Sequence, residues 1–448
     1  MTVRVRALLA GGAAALLALA GCRAGAGLAL DGPARTYRLG EPDVALDAQA
    51  WVRDETGVDV TLVVEPSSLT FRPAGDSLEA VLDWTVRLTG PGPPAFVEGA
   101  DTLRAATVGD VRAALPWVHT ERVPRPPGGH RVEATATDVG ADRTARRSGT
   151  VTVWGSDRGP WLSGLRLTRA GRPVVATRAP ALHDSVRVVA QASAPEGGTL
   201  VTSVVRLRAD TTVAAPLGAA TPPPTSLPAA GVDAAAADTV FVGCRPVAGG
   251  GVLAVESPLP ALPPGVYAVR LALVTADGQT TAASSRRVVV RRRDFPLVTR
   301  LGDLVAPLAY LAGDAEQAAL RRGGRRAFDA FWGERIDDRR RAAETLRTYY
   351  GRVEEANRLF SNQKAGWATD RGRVYVLFGP PDDVRATAEA ETWAYRRGAA
   401  APPQVVFDRT SGRFDVDSPF AVLTLRRDRR YEGAERAARE AWRAGRVP

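Results

Sequence analysis

The sequence predicts a multidomain protein with two tandem all-β sandwiches, followed by an α+β domain in which a helical hairpin packs on a small antiparallel sheet. Three observations lead to this fold class. Short apolar runs with period-two alternation fill residues 28–292, as strands with one buried face require. A stretch within them recurs at a constant offset of 137 residues. Beyond residue 293 the apolar period lengthens to about 3.6, which is typical of amphipathic helices.

Length and charge indicate several domains of unequal charge. The 448 residues correspond to two to four domains of the usual ~100–200 residues. Hydrophobic residues make up 45% and charged residues 24%, which excludes a disordered chain, a collagen and a polytopic membrane protein. Residues 1–285 carry 26 basic and 26 acidic side chains, whereas residues 286–448 carry 33 and 23. The whole net charge of +10 therefore belongs to the C-terminal part.

The N-terminus has the parts of an export signal. Arg4 and Arg6 precede an apolar run at residues 7–20, which is shorter than the ~20 residues of a membrane-spanning helix. The run ends in Leu19-Ala20-Gly21-Cys22, which resembles the lipobox of bacterial lipoproteins. The resemblance implies that residues 1–21 are a removed signal peptide, that Cys22 becomes the acylated first residue, and that residues 22–27 form a tether. We therefore expect attachment to a lipid bilayer through Cys22, because two or three acyl chains anchor a protein stably.

The resemblance to lipoproteins also bears on location and on cysteine chemistry. Arg23 stands beside Cys22, where an Asp would signal inner-membrane retention in well-studied diderm bacteria, so the outer membrane of the cell envelope is favoured by analogy. With Cys22 acylated, Cys244 is the only free thiol and no intrachain disulfide forms. The Val-Phe-Val-Gly-Cys context of Cys244 predicts a buried position at the end of a strand.

The repeat defines the two sandwiches. Residues 127–136 and 151–153 align with residues 264–273 and 288–290. Each copy has a Pro-Gly turn, an alternating strand, a polar turn and a Val-x-Val strand, which resembles the closing hairpin of immunoglobulin-like and fibronectin-type sandwiches. We therefore predict sandwiches at residues 28–156 and 160–292. A Pro-rich insert at residues 221–225 falls in the second one.

The histidines do not suggest metal chemistry. His119, His130 and His183 are the only three, and none has metal-ligand spacing with another His or Cys. His130 takes the place that Tyr267 fills in the other copy, which favours a packing role at a sandwich corner. We expect no metal site and no cofactor.

The α+β domain is predicted at residues 300–448. Phe328, Phe331, Trp332 and Ile336 follow helical spacing, and Gly323-Gly324 is expected to separate two helices. Arginines crowd the opposite face, as in some nucleic-acid-binding surfaces. Export argues against a nucleic-acid partner, and a solvated face or attraction to anionic lipid head groups is the better interpretation.

The most distinctive segment of the chain lies at residues 366–383. It contains Gly366, Trp367, Ala368, Thr369, Asp370, Arg371, Gly372 and Arg373, then an apolar run, then Gly379, Pro380, Pro381, Asp382 and Asp383. This segment resembles the GWxTD domain family, as do the upstream Phe331-Trp332 and Tyr349-Tyr350 and the downstream Trp393-x-Tyr395. The resemblance covers about residues 300–425. It implies an exported bacterial protein with a β-rich N-terminal region, and it brings no established activity.

Read physically, the segment predicts a buried strand and its turns. Residues 373–378 are expected to form the strand, which the following Gly-Pro-Pro-Asp must stop. Thr369 and Asp370 are suited to capping the loop that enters it, Gly372 permits a positive φ, and Trp367 anchors the loop on the helical hairpin.

Two hypotheses for function follow. The first is a non-enzymatic envelope lipoprotein whose sandwiches serve as spacer and binding surface and present the α+β domain to a protein or glycan partner. The second is an envelope hydrolase acting on a saccharide or peptide, with Asp370 and Asp382 as weak candidates for an acid/base pair. The first is favoured, because no nucleophile elbow or phosphate loop occurs and each motif residue has a turn, cap or packing role available. The sequence leaves the oligomeric state open.

Overall fold

The computed structural model describes residues 34–35, 42–52, 55–155, 159–174, 179–180, 186–209, 232–292, 294–387, 389–396, 402–409 and 422–448. The predicted signal peptide and tether, Cys22, His183 and the Pro-rich insert lie outside the described residues. The chain forms two β-sandwiches followed by an α+β domain, as the sequence predicts. The first described strand, β1 (Ala34–Arg35), belongs to the sheet of the third domain.

The first sandwich pairs a three-stranded sheet with a five-stranded one. The order of the first is β2-β3-β7; in the second, β5 lies between β6 on one edge and β4 and β8 on the other, and β9 follows β8. Alternate residues of the longest strand, Leu82, Trp84, Val86 and Leu88, are fully buried, which is the pattern of a strand with one face on the core. The elements are β2 (Val44–Val52), β3 (Thr56–Val64), β4 (Arg72–Ala74), β5 (Ser77–Thr89), β6 (Ala95–Ala105), α1 (Val108–Ala113), β7 (Trp117–Pro124), β8 (Gly128–Asp138) and β9 (Arg143–Val153).

The second sandwich has two five-stranded sheets. In one, β14 is flanked by β17 on one edge and by β10 and β11 on the other, with β12 beside β11; the other has the order β13-β19-β18-β15-β16. The strands are β10 (Trp161–Leu162), β11 (Arg166–Arg169), β12 (Arg172–Pro173), β13 (Ala179–Pro180), β14 (Val186–Ala194), β15 (Gly198–Ala209), β16 (Val232–Val247), β17 (Gly250–Pro258), β18 (Gly265–Val274) and β19 (Thr280–Arg291).

The sequence repeat is a repeat of structure. Strands β8 and β9 pair with Gly128 opposite Val153, and β18 and β19 pair with Gly265 opposite Val290, so the register is the same in both copies. His130 Nε2 donates to the carbonyl of Pro126 at 2.8 Å, and Tyr267 Oη donates to that of Pro263 at the same distance. Both side chains are almost fully buried. His130 therefore has the packing role that was predicted: it is a corner residue that ties β8 to the preceding turn.

Cys244 is exposed, so the prediction of a buried thiol is wrong. Among the described strands, β16 is the edge of its sheet and pairs with β15 alone. Phe241 packs against the core of the sandwich, and because strand side chains alternate between faces, Cys244 points to the other side. The apolar context was that of an edge strand rather than of a central one.

The third domain packs helices on a five-stranded antiparallel sheet of order β1-β20-β21-β22-β23. A single core runs through both layers, from Phe328 and Trp332 through Tyr349 to Trp393 and Trp442. The helices are α2 (Leu301–Val305), α3 (Asp314–Gly333), α4 (Arg339–Phe360), α5 (Asp370–Phe378) and α6 (Arg429–Arg443); the strands are β20 (Asp383–Ala386), β21 (Ala390–Ala394), β22 (Gln404–Arg409) and β23 (Leu423–Leu425).

Helix α3 is broken at Gly324, whose backbone has φ 58° and ψ −140°. This conformation is open to glycine and strained for other residues. The separation of two helical segments at Gly323-Gly324 is thus confirmed. The last helix of the domain, α6, is amphipathic and buries Tyr431, Glu435, Ala438 and Trp442.

Residues 373–378 form the end of helix α5 and not a strand; this prediction is wrong. Every residue from Gly372 to Phe378 is buried, since α5 contacts α4, α6 and β23. A helix enclosed on all sides has no polar face, so its sequence lacks the 3.6-residue period and cannot be told from a buried strand.

Polar contacts join the domains. Between the sandwiches, Arg286 binds Asp47 at 3.0 Å, and the Gln191 side chain bonds both backbone groups of Val52. Towards the third domain, Arg291 donates to the carbonyl of Asn362. These contacts are of the polar kind that is usual between domains of one chain.

Candidate functional site

The Gly-Trp-Ala-Thr-Asp segment is the junction between α4 and α5. It leaves α4, makes a 3-10 turn at Gly366–Ala368, and enters α5 at Asp370. A Cβ on Gly366 would lie 2.0 Å from the carbonyl oxygen of Ala356 in α4. A Cβ on Gly372 would lie 1.9 Å from the carbonyl oxygen of Gly366. Both glycines are needed because backbone packs directly on backbone here. The positive φ expected of Gly372 is not observed, so close packing and not backbone conformation explains this glycine.

Trp367 holds the junction against Tyr310, which precedes α3, and against Asn357 of α4. Its indole meets the ring of Tyr310 edge-on, with centroids 5.8 Å apart. Tyr310 Oη donates to the Trp367 carbonyl at 2.6 Å, and the Trp367 amide donates to Asn357 Oδ1 at 3.3 Å. Burial raises the pKa of Tyr310, so its hydroxyl stays protonated as a donor. The tryptophan is therefore held by its backbone as well as by its ring.

Thr369 and Asp370 act as caps. Thr369 Oγ1 accepts from the Gly372 amide at 3.0 Å and donates to the Gly366 carbonyl at 2.7 Å, which makes Thr369 the N-cap of α5. Asp370 Oδ2 accepts from the Leu425 amide at 2.8 Å. This carboxylate stands in the first turn of α5, where the helix dipole favours a negative charge, and it ties that turn to β23.

The two arginines of the motif, Arg371 and Arg373, contact different carboxylates and different aromatic rings. Arg373 is 2% exposed and forms an ion pair with Glu435 of α6, which is fully buried; its guanidinium also lies 5.4 Å from the Tyr310 ring centroid. Arg371 lies over the ring of Phe360 and 3.5 Å from Glu391 Oε2.

Glu391 and Glu435 are buried carboxylates beside the motif that the sequence analysis does not identify. Glu391 is fully buried on β21, where its other oxygen accepts from Trp393 Nε1 at 2.8 Å. Glu435 lies one helical turn after the buried Tyr431 of α6. That spacing was the available signal for an inward-facing carboxylate on an otherwise charged helix.

The Gly-Pro-Pro-Asp turn ends α5. Gly379 has φ +84°, and Arg352 donates to the carbonyls of Val376 and Leu377 at 3.3 and 3.2 Å. Burial lowers the pKa of Arg352 to about 10, so it remains a cation at neutral pH. Past Pro380 and the buried Pro381, Asp382 Oδ2 accepts from the Arg396 amide at 2.6 Å.

The proposed acid/base pair thus consists of two carboxylates that each accept a backbone N–H. Asp370 bonds Leu425 in β23, and Asp382 bonds Arg396 just after β21. These are contacts expected of structural caps. Among the described residues, no three His, Cys, Asp or Glu side chains come together as metal ligands. In the same part of the chain, no helix is long and apolar enough to cross a membrane.

Comparison with known proteins identifies the domain and no activity. Residues 272–444 match the GWxTD domain family, so the chain carries a GWxTD domain. Among solved structures, red sea bream transglutaminase matches with 11% identity and a TM-score of 0.16. The match covers 55% of this chain and 31% of that one, so the chain spans about a third of its length, and a likeness this weak carries no argument. The search of curated proteins found no match.

Proposed function

We propose that this protein is a membrane-anchored lipoprotein of the bacterial cell envelope, with the outer membrane favoured, that acts as a non-enzymatic binding or scaffold protein. The observation that carries the anchor is the run of Arg4, Arg6, an apolar stretch and Leu19-Ala20-Gly21-Cys22. Its order and length fit a lipoprotein signal, and acylation of Cys22 would attach a chain to the bilayer without a spanning helix.

The geometry of the GWxTD domain supports a binding or scaffold role. Gly366 and Gly372 make backbone contacts that exclude any side chain, Thr369 caps α5, and Asp370 and Asp382 accept backbone amides. Side chains committed to such bonds hold a fold together. The motif is therefore best understood as the assembly point of the domain, and the partner is an envelope protein or glycan bound elsewhere on the surface.

The anchor is tested by replacing Cys22 with Ser and fractionating cells. The wild-type protein is expected in the membrane fraction with the mass of an acylated N-terminal cysteine, and Cys22→Ser is expected in the soluble fraction of the envelope. A Cys22→Ser chain that stays on the membrane would refute the anchor. Cys244→Ser is the matched control, because this thiol is exposed on an edge strand and its loss should leave location unchanged.

The binding role is tested by crosslinking in native envelopes followed by mass spectrometry. A reproducible protein or glycan partner is expected. Recovery of no partner, together with turnover of an envelope polymer that is lost in Asp370→Ala, would instead establish the hydrolase.

A further inference from the structure

The first described residues of the chain, Ala34–Arg35, lie on the third domain. In β1, Ala34 pairs with Arg385 and Arg35 pairs with Val384, so β1 is the edge strand of the sheet that β20 to β23 continue. The first sandwich begins only later, with β2 at Val44. The chain therefore passes the GWxTD domain first, runs through both sandwiches, and returns to that domain after β19.

The distance from the predicted anchor to this contact is short. Twelve peptide steps separate Cys22 from Ala34, and fully extended chain covers at most ~3.3–3.6 Å per residue, or about 43 Å. A domain of this size has a radius of gyration of roughly 15 Å, hence a diameter near 40 Å. The edge of the third domain's sheet thus cannot lie farther from the bilayer than about one domain diameter.

Charge favours the same placement. Residues 286–448 hold the entire net charge of +10, whereas residues 1–285 are neutral. Within the described residues, several exposed arginines of this domain take part in no ion pair, and they lie on α3, α4 and α6: Arg321, Arg322, Arg326, Arg339, Arg347, Arg429, Arg430 and Arg436. Basic side chains close to a bilayer are attracted by anionic lipid head groups.

From these observations we infer that the GWxTD domain is the membrane-proximal part of the molecule, held against anionic lipid head groups, and that the two sandwiches project away from the bilayer. The inference rests on the proposed acylation of Cys22. In this arrangement the sandwiches are not spacers between the membrane and the α+β domain. They lie farther from the bilayer than that domain and form the surface that a partner meets first.

Energy transfer to the membrane surface tests this placement. The acylated full-length protein is reconstituted into phosphatidylglycerol-containing vesicles whose head groups carry an acceptor dye. One sample is labelled with a donor at the native thiol Cys244, which is exposed in the second sandwich. The other is labelled at Ala437→Cys in a Cys244→Ser chain, since Ala437 is exposed on α6. Transfer efficiency is expected to be at least about twofold higher from position 437 than from position 244. Equal transfer, or stronger transfer from position 244, overturns the inference.

Two controls separate the parts of the claim. The intact mass is measured first: a chain without acyl groups refutes the proposed function and, with it, this placement, whereas an acylated chain with the wrong order of efficiencies refutes the placement alone. In phosphatidylcholine vesicles, and at high salt, transfer from position 437 should fall, because screening weakens the attraction of head groups for arginine. Identical transfer in both lipids would show that charge does not hold the domain at the surface.

Discussion

At the scale of single residues, each position of the GWxTD motif makes a contact that explains its residue type. Gly366 and Gly372 admit neighbouring backbone at distances no Cβ tolerates. Thr369 donates one bond and accepts another at the start of α5. Asp370 accepts a hydrogen bond from the Leu425 amide. The identities in the motif are explained without reference to a substrate.

Gly372→Ala tests the packing of the motif. Its Cβ would sit 1.9 Å from the Gly366 carbonyl oxygen, so backbone must move, and we expect a loss of about 3 kcal/mol, at the upper end of overpacking costs. Hydrogen exchange in the full chain should show protection falling in α4 and α5.

The matched control is Gly433→Ala, an exposed position on α6 with no atom within 4 Å of an added Cβ. Alanine should stabilise this helix by ~0.5–1 kcal/mol. Unchanged protection of α5 in Gly372→Ala would contradict the packing argument.

At the scale of elements, what the sequence could predict depended on how each element meets solvent. The amphipathic helices and the hairpins of the repeat each have one solvent-exposed face, so the spacing of their apolar residues shows in the sequence. Helices α4 and α6 bury one stripe each, and buried residues alternate along β8. Helix α5 has no solvent-exposed face from Gly372 to Phe378, so its sequence predicts a strand instead of a helix. Contacts made across long sequence distances, such as Arg373 with Glu435 or β1 with β20, leave no local pattern.

The clamp between α3 and α6 predicts a pH dependence. Glu316 accepts from both Arg443 nitrogens at 2.8 and 3.0 Å and pairs with Arg335; these contacts, with the Arg443 hydrogen bond foremost, lower its pKa to about 2 from 4.5. A carboxyl group whose pKa is lower in the folded state than in the unfolded state stabilises the fold at pH values above the unfolded pKa. This contribution is lost as the pH falls through the folded-state pKa. Because the carboxylate is a third exposed, we discount the effect for solvent screening to about 1 kcal/mol.

The Glu316→Gln variant should therefore be less stable than wild type at pH 7. Hydrogen-exchange measurements on α6 should show this difference in stability disappear between pH 4.5 and 2. Glu344→Gln serves as the control, because its pair with Arg340 is exposed on one helix and should contribute almost nothing. A gap for Glu316→Gln that stays constant with pH would show that the clamp is not electrostatic.

At the scale of the whole molecule, the chain is a neutral pair of sandwiches joined at both ends to one basic domain. The sandwiches meet through polar groups: Asp47 with Arg286, Asp59 with Arg166 at 3.5 Å, and Gln191 with the backbone of Val52. Domains that meet through a polar interface can move relative to one another, so these few contacts are what restrains the angle between the sandwiches. The scaffold role that we propose would depend on these contacts to hold the two modules at a set angle.

Arg286→Ala is expected to loosen that angle. The variant loses two bonds to Asp47 and one to the Leu165 carbonyl, at a cost of about 1–3 kcal/mol for partly buried charged hydrogen bonds. Small-angle scattering should show a broader distribution of distances, and β2 should exchange faster.

The matched control is Arg325→Ala. It removes an exposed i,i+4 pair with Asp329 and a cation–π contact with Phe328, both within α3, so scattering should not change. If Arg286→Ala scatters like wild type as well, the sandwiches are held by other contacts.

We propose that the GWxTD motif builds the domain and carries no catalysis, and Asp370→Asn tests this proposal most directly. An asparagine oxygen can still accept from the Leu425 amide, so the fold is kept while a catalytic carboxylate is removed. The measurement is the native-envelope crosslinking pattern and polymer composition of cells carrying Asp370→Asn beside wild type, with α5 exchange as the check on folding. We predict the same partners and the same polymers. A folded Asp370→Asn protein in cells whose envelope polymer is altered would contradict the account.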